Sequence, residues 1–450
     1  MSKTTRLRIQ ALKDLVTAGV DEELLDDQLK DLHASDIADL IEHLEDDQRL
    51  LLMRRLPPDV AADALAEMEE VERPADLLLQ LELRRIGEIV GEMADDDAAD
   101  ILGELEPEQQ AEVLSVVAVP DAVHIEELLH HAEDTAGGIM TRDMLAIRSN
   151  LTAGEAIAEI RRQARGDMEF YTIFVIESDR RLIGVVSLHD LVLSEPGVAL
   201  SAIIEQPRAV VPVDMDQEEV SHILSRYNLA SIGVVDESGR LLGRVTFDDV
   251  IDVLEAEMTE DILRFAAVSD EEHVRGSTVD AIRSRLPWLL LNLGTASLGA
   301  LVVWNFRDTI ENLVVLAVVM PIVAGLGGNA GTQALAVTIR RIALADESLA
   351  ERWHVLGKEA LVGLLNGLAV GALAFALGYV LLGQGPVFGL VVLLAMWGNL
   401  VVASFAGAFI PIVLESAGID PAVASSVFVT ALTDLTGFLL LLGLATAVLT

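Results

Sequence analysis

The sequence predicts a multidomain membrane protein: an α-helical superhelix at the N-terminus, a tandem pair of α+β domains, a connecting helix and a transmembrane domain of five α-helices. The first observation is charge, because residues 1–285 contain 26 Lys and Arg against 63 Asp and Glu, whereas residues 286–450 contain 5 and 9. The second is that uncharged stretches long enough to cross a bilayer, about 20 residues, follow residue 285. The third is a helical repeat, followed by a duplicated strand pattern, in the acidic part.

The composition argues against several classes of protein. An acidic surplus of this size opposes phosphate binding, so no nucleic-acid partner is expected. The chain contains no Cys, which excludes a disulfide scaffold, a Cys-ligated zinc site and a thiol nucleophile. It also lacks a P-loop motif, and no enzymatic activity is predicted. The opening MSKTTRLRIQALKDLV lacks the apolar core of a signal peptide, so the acidic part is expected to stay in the cytoplasm.

The first predicted domain covers residues 1–133 and is helical. A small residue followed by an acidic one recurs about every 12 residues, and each pair is expected to open a short apolar helix. The pairs are Ala38-Asp39, Ala62-Asp63, Ala75-Asp76, Gly87-Glu88, Ala99-Asp100 and Ala111-Glu112. Short helices joined by tight turns bury their apolar faces on one another in a superhelix, which predicts an interaction or regulatory domain.

Two α+β domains are predicted at residues 134–200 and 201–261. A strand-turn-strand pattern at 171–186 is repeated at 231–245, and both copies end in Gly-x-x-[Ser/Thr]-x-x-Asp, which reaches Asp190 and Asp249. This pair resembles a tandem of cystathionine-β-synthase (CBS) domains, a regulatory fold that often binds adenine nucleotides. Ser187 and Asp190 are therefore candidate contacts for a nucleotide such as ATP, although the same two residues would also serve as an ordinary helix N-cap.

An acidic segment follows the second copy. It contains seven carboxylates, at Asp248, Asp249, Asp252, Glu255, Glu257, Glu260 and Asp261. Like charges at helical spacing repel one another, and a hard cation such as Mg²⁺, which prefers oxygen ligands, would offset the repulsion. Two other interpretations remain open at this point: a solvated acidic face, and adaptation to high salt, which the isoelectric point near 4.4 also fits.

Five membrane spans are predicted in residues 286–450, after a connecting helix at 262–285. They are 286–306, 312–339, about 360–382, about 387–413 and one from Pro421 to the C-terminus; the turn Gly383-Gln384-Gly385-Pro386 separates the third from the fourth. The basic residues Arg283, Arg285, Arg340, Arg341, Arg352 and Lys358 all fall on one side, and only Arg307 falls on the other. The protein is therefore expected to span the cell (inner) membrane. The positive-inside rule places its N-terminal domains in the cytoplasm and its C-terminus on the outer side.

Two spans contain unusual polar residues. Span two has Pro321 and four glycines close together, with Asn329, Thr332 and Gln333 beside them. Such a segment either breaks a membrane helix at a wet cavity or allows close helix packing. In span five, Asp434 is the only ionisable residue well inside any span, and no Lys, Arg or His inside the spans can pair with it. A carboxylate at that depth costs several kcal/mol, which favours an ion or water path.

With these residues in view, the chain resembles the MgtE family of magnesium channels along essentially its whole length. The two membrane motifs, P-x-x-x-G-x-G-G-N-x-G-x-Q from Pro321 and L-T-D-x-x-G from Leu432, are the most specific features. The resemblance implies a homodimer with its pore on the two-fold axis, lined by spans two and five. The residues expected to hold the hydrated Mg²⁺ are Asp434, Thr430, Asn329 and Gly328.

The resemblance also implies that cytoplasmic Mg²⁺ closes the pore by binding carboxylates of the N-domain, the CBS pair and the connecting helix. The expected sensor residues are Asp95, Asp216, Glu218, Asp249, Asp252, Glu255, Glu257, Glu260, Asp261 and Asp420. Asp95 is followed by Asp96 and Asp97, and any of the three can be the N-domain ligand.

Two other functions compete with a Mg²⁺ uptake channel. One is a proton-coupled carrier of another divalent cation, such as Mn²⁺ or Co²⁺, regulated by nucleotide at the CBS pair. The other is a membrane-anchored ion or nucleotide sensor, which has no use for a charge inside the bilayer.

Overall fold

The computed structural model describes residues 12–13, 29, 32–68, 73–164, 170–266, 268, 278–344, 349–421 and 425–449. The chain separates into two compact units, Met1–Glu257 and Met258–Thr450. Residues 267 and 269–277 of the predicted connecting helix lie outside the described residues. Of the rest, 262–265 end one helix and 278–285 begin the first span.

The N-terminal part of the first unit consists of short helices. From residue 34 to residue 128 the described residues form α1 Ala34–Glu42, α2 Asp46–Arg55, α3 Pro58–Ala66, α4 Pro74–Leu79, α5 Leu83–Val90, α6 Asp95–Gly103, α7 Pro107–Leu114 and α8 Val119–Leu128. Prolines open three of these helices, at a position where the backbone N–H has no partner within the helix. The predicted helical domain is confirmed.

The sequence predicted that the repeated small residues open these helices, and this is correct only for Ala75 in the first turn of α4; the others lie further inside their helices. Ala38, Ala62 and Ala99 are all buried within their helices. At Gly87 in α5, an added Cβ would lie 2.6 Å from the carbonyl oxygen of Val116, so no side chain fits there. The repeat therefore marks points of close helix contact, although its last member, Ala111, is exposed.

Each predicted CBS copy forms a three-stranded sheet. In the first, β1 Ala146–Arg148 pairs parallel with β2 Thr172–Ile176, which pairs antiparallel with β3 Leu182–Ser187. In the second, β4 Val210–Pro212, β5 Ser231–Val235 and β6 Leu241–Thr246 repeat this order. The pair also contains the helices α9 Ala153–Gln163, α10 Leu188–Leu193 and α11 Gln217–Tyr227. The two predicted strand pairs are confirmed, and the short parallel strands β1 and β4 are additional.

The two copies are joined by reciprocal hydrogen bonds between their hairpins. Leu182 N–H donates to the Gly239 carbonyl and Leu241 N–H donates to the Arg180 carbonyl, each at 3.0 Å. Gly239 has a φ of +76°, which a glycine adopts without strain. The last helix of the pair, α12 Phe247–Phe265, carries the acidic segment.

The second unit contains the five predicted spans, each as a long apolar helix. They are α13 Thr278–Asn305, α15 Val315–Leu344, α16 Leu349–Ala376, α17 Pro386–Ser416 and α18 Ser425–Leu449 (spans one to five), with the short α14 Arg307–Asn312 after span one. A π-helical turn, Leu377–Leu381, ends span three, and Gly383 follows with a φ of +64°. The predicted turn between spans three and four is thus confirmed.

Span four is the central helix of this unit and packs against spans two, three and five. Its contact with span three runs along Gly363, Gly367 and Gly371, where an added Cβ would lie about 3 Å from atoms of span four. Trp397 of span four donates its Nε1–H to the Leu364 carbonyl at 3.2 Å. Small residues at this spacing let two membrane helices approach closely.

Candidate functional site

Span two is a continuous helix through Pro321, so the glycine-rich segment does not break it. Its glycines divide between two faces. An added Cβ at Gly327 would overlap the Asn399 side chain, and one at Gly331 would overlap Val429. In contrast, among the described residues no atom of a neighbouring element lies within 4 Å of an added Cβ at Gly325 or Gly328. Close helix packing therefore explains Gly327 and Gly331, and does not explain Gly325 and Gly328.

The second face of span two is polar and uncovered in the single chain. Gly325, Asn329 and Gln333 are exposed at helical spacing, with Gly328 and Thr332 half-buried between them. We call these five residues the open face of span two. Two of the predicted pore residues, Asn329 and Gly328, lie on it.

The other two predicted pore residues lie on span five. Thr430 is exposed and Asp434, one turn later, is half-buried, so they share a face. This helix contacts span two beside the open face, because an added Cβ on Gly331 would reach both Val429 and Thr433. The structure thus brings Asp434 and Thr430 together on a helix adjacent to Asn329 and Gly328.

Asp434 also lines a cavity of about 610 Å³ between spans one and five. Arg307 and Glu311, from α14, line the same cavity, and the Arg307 guanidinium lies 5.3 Å from the centroid of the Trp304 ring. No Lys, Arg or His lies inside the predicted spans, but Arg307 lies just beyond span one, so Asp434 shares its cavity with a cation as well as a second acid.

In the first unit, the N-domain and the CBS pair meet at an acidic cluster. The pKa of Asp97 is raised to about 7, chiefly by burial and then by the facing carboxylate of Asp249, with smaller contributions from Glu67 and Asp63. Burial also raises the pKa of Asp249, although hydrogen bonds from the Thr246 hydroxyl and backbone N–H lower it. We call Asp63, Glu67, Asp97, Asp249 and Asp252 the interface cluster.

Of the three consecutive aspartates, Asp97 and Asp96 face Asp249, while Asp95 faces elsewhere. Asp95 lies 3.5 Å from His124 Nδ1. Asp96 is almost fully buried, and its pKa is raised well above the ordinary value by burial, then by Asp97 and Asp249. Asp63 and Glu67, one turn apart on or just after α3, were missed by sequence reasoning; their helical spacing was the available signal.

Asp252 belongs to the same cluster. Burial raises its pKa, and the nearby Glu67 and Asp249 raise it further. The next predicted ligand, Glu255, is exposed. Among the residues that the structure describes, no three His, Asp or Glu side chains are gathered closely enough to hold a metal ion.

Asp216, Glu218 and Glu257 lie around α11. Asp216 caps this helix by accepting a hydrogen bond from the Glu218 N–H at 2.8 Å. Gln217 Nε2 donates to the Glu257 carboxylate at 2.8 Å, which connects α11 to α12. These residues therefore have structural roles as well as oxygen atoms suitable for a cation.

In the second unit, an arginine accompanies the remaining predicted ligands. Arg264 lies 2.6 Å from the Asp420 carboxylate and also pairs with Glu260. Asp261 is exposed. A guanidinium thus pairs with both Asp420 and Glu260 at a place where the sequence predicted a bound cation.

Ser187 and Asp190 form an N-cap. The Asp190 N–H donates to Ser187 Oγ at 3.0 Å, and hydrogen bonds from Ser187 and then His189 hold the pKa of the Asp190 carboxyl below its ordinary value. At the start of α12, the Thr246 hydroxyl and the Thr246 N–H both donate to the Asp249 carboxylate. The capping interpretation is correct for Ser187, and the half-exposed Asp190 carboxylate remains accessible to a ligand.

Four segments of the chain match known families. Residues 320–444 match the MgtE family, described as divalent cation transporters. Residues 32–134 match the MgtE intracellular N domain, and residues 136–196 and 200–256 match CBS domains. Among solved structures, the chain is similar to the soluble part of a magnesium transporter, with 29% identity, a TM-score of 0.52 and coverage of 56% of this chain and 99% of that one. It is also similar to the cytosolic domain of the Mg²⁺ channel MgtE in complex with ATP, with 33% identity, a TM-score of 0.52 and coverage of 54% and 99%.

The similarity to whole proteins extends over the membrane part as well. The chain is 29% identical to the magnesium transporter MgtE of Bacillus subtilis, with 93% of this chain and 92% of that protein covered. It is 34% identical over 446 residues to the magnesium transporter MgtE of Thermus thermophilus, with 97% of each covered. Together with the helical N-domain, the CBS pair and the five spans, this similarity shows that the chain belongs to the MgtE family of magnesium transporters.

Proposed function

We propose that the chain forms a homodimer and conducts Mg²⁺ between the open face of span two and the Thr430–Asp434 face of span five. The observation that carries this proposal is a polar helix face, uncovered in one chain, beside an intramembrane carboxylate. Polar groups at membrane depth need protein or water around them, and a second copy related by a two-fold axis would supply both.

The residues at this path suit a hydrated Mg²⁺ ion. Mg²⁺ gives up water reluctantly and is usually held by one or two carboxylates with several waters retained. Asp434 supplies one carboxylate per protomer, while Asn329 and Thr430 supply neutral oxygens. Gly328 and Gly325 leave room for the waters, because no neighbouring element in the described part of the chain has an atom within 4 Å of an added Cβ at either position.

Regulation is proposed to occur at the interface cluster. Asp97 and Asp249 are both partly buried, and the Asp249 carboxylate raises the pKa of Asp97, so their proximity is unfavourable while both are charged. A Mg²⁺ ion between them would remove this repulsion and hold the N-domain against the CBS pair. Asp97, rather than Asp95, is therefore the proposed N-domain ligand, with Asp249 and Asp252 as its partners.

ATP is the proposed nucleotide at the CBS pair. The cytosolic domain of the Mg²⁺ channel MgtE, 33% identical to this chain, has been solved in complex with ATP. Ser187 and Asp190 lie at the start of α10, directly after β3, where a hydroxyl and a carboxylate can accept hydrogen bonds from ribose hydroxyls. The predicted domain boundaries and the orientation, with the N-terminal domains cytoplasmic and the C-terminus outside, are part of the same proposal.

Transport of Mg²⁺ through the proposed path is tested by flux into proteoliposomes. Asp434→Asn keeps the size of the side chain and removes its charge, so Mg²⁺ flux should fall at least tenfold while the dimer stays intact. Asp434→Ala should behave in the same way. Asp308→Asn, at a carboxylate whose side chain is 85% exposed, is the matched control and should transport normally. Wild-type flux in Asp434→Asn would refute the path, and flux that depends on a proton gradient would favour the carrier.

A further inference from the structure

Asn399 is a buried polar residue in the middle of span four, which is otherwise apolar around it. Its side chain is 0% exposed, and its Nδ2–H donates a hydrogen bond to the Val323 carbonyl of span two at 3.0 Å. Its Oδ1 is buried without a hydrogen-bond partner among the described residues. An amide oxygen left unpaired in an apolar interior is unfavourable, so ordinary packing does not account for this residue.

Two glycines make the space that the Asn399 amide occupies. An added Cβ at Gly327 of span two would overlap the amide, and one at Gly437 of span five would lie 2.8 Å from Nδ2. One side chain therefore contacts both helices of the proposed path. Gly327 lies on the face of span two opposite the open face, and Gly437 lies one turn after Asp434.

We propose that Asn399 is a positioning residue for Mg²⁺ transport: its amide fixes span two against span five and so sets the distance between the open face and Asp434. This inference rests on the proposed path but concerns a residue outside it. The hydrogen bond to a helix carbonyl fixes the position of span two along its axis, which apolar packing alone does not specify. Small displacements at such a site have large effects on an ion that must keep its ordered waters.

The test compares the Asn399→Ala variant with the Asn399→Ala/Gly327→Ala double variant, using the full chain and Mg²⁺ alone as the probe. The single variant should lose at least tenfold in maximal Mg²⁺ flux. In the double variant, the methyl group added at position 327 fills the space left by the amide, so the melting temperature in detergent should return towards the wild-type value. Flux should not return, because the hydrogen bond to Val323 is still missing.

Gly437→Ala provides a variant that keeps Asn399, since its Cβ should push the amide away from Val323 and lower the flux similarly. Recovery of both flux and melting temperature in the double variant would reduce Asn399 to a packing residue and overturn the proposal. So would wild-type flux in Asn399→Ala. Asp434→Asn is measured in parallel: if it is inactive while Asn399→Ala is active, only the positioning role fails, whereas an active Asp434→Asn overturns the path itself.

Discussion

At the scale of single residues, the proximity of Asp97 to Asp249 is the least expected feature of the first unit. Both carboxyls are partly removed from water, and the Asp249 carboxylate makes ionisation of Asp97 less favourable. Because the pKa of Asp97 is raised from 3.8 to about 7, the folded protein holds a proton that the unfolded chain loses near pH 4. The contribution of Asp97 to stability is therefore fully present below about pH 4 and is lost progressively as the pH rises from there through about 7.

We expect Asp97→Asn to remove this pH dependence. Without divalent cations, the melting temperature of the variant should equal that of the wild type below about pH 4 and exceed it increasingly as the pH rises to 8, by about 2–4 °C for each kcal/mol gained. Millimolar Mg²⁺ should stabilise the wild type more than the variant. Glu112→Gln, at an exposed position of α7, is the control and should show no such difference. A constant difference between Asp97→Asn and wild type at every pH would contradict the interpretation.

Which of the three aspartates faces the CBS pair could not be predicted from the sequence. Successive residues of a helix point about 100° apart, so Asp95, Asp96 and Asp97 face three directions, and their spacing does not say which one meets α12. Only the packing of α6 against its neighbours decides this. Asp434 was different, because a single carboxylate in an apolar span stands out in the sequence itself.

At the scale of elements, span two serves two purposes with one set of glycines. Gly327 and Gly331 allow close contact with spans four and five, whereas Gly325 and Gly328 belong to the open face. The sequence showed that these glycines lie close together, but not that they divide between two faces of the helix. In both cases a glycine is needed because a side chain would fill space used by something else. At Gly327 and Gly331 a neighbouring helix occupies that space, and at Gly325 and Gly328, in our proposal, a hydrated ion does.

The two faces predict opposite outcomes for similar substitutions. Gly331→Ala should destabilise the folded protein by about 1–3 kcal/mol, because its Cβ meets Val429. Gly325→Ala should leave the melting temperature in detergent unchanged. Gly325→Leu should also remain folded yet block Mg²⁺ flux by filling the path. Full flux in Gly325→Leu would move the open face away from the ion path.

Helices were easier to predict than strands in this chain. Hydropathy over 20 or more residues marked all five spans. Some helix ends differ from the predicted ones because the helix extends beyond the apolar stretch into polar residues, as it does at Thr278 in span one. The strands β1 and β4 have only three residues each, too few for an alternating pattern to be recognised. Their pairing is fixed by the sheet rather than by local sequence.

At the scale of the whole molecule, the two functions lie in different parts of the chain. The proposed path lies in the spans, and the interface cluster lies between the N-domain and the CBS pair. Mg²⁺ can couple them only if it binds the closed arrangement more tightly than the open one, since a ligand shifts a population by its differential affinity. Several weak carboxylate sites acting together can supply such a difference.

The most direct test of this account is Mg²⁺ flux as a function of Mg²⁺ on the cytoplasmic side, at a constant high concentration of KCl. We compare the wild type with the Asp97→Asn/Asp249→Asn/Asp252→Asn variant. Asn at position 249 can still accept the capping hydrogen bond from Thr246, so the fold should be kept. The account predicts that millimolar Mg²⁺ closes the wild type and leaves the variant open. Closure of both proteins at the same Mg²⁺ concentration, or closure that follows ionic strength whatever the cation, would contradict it.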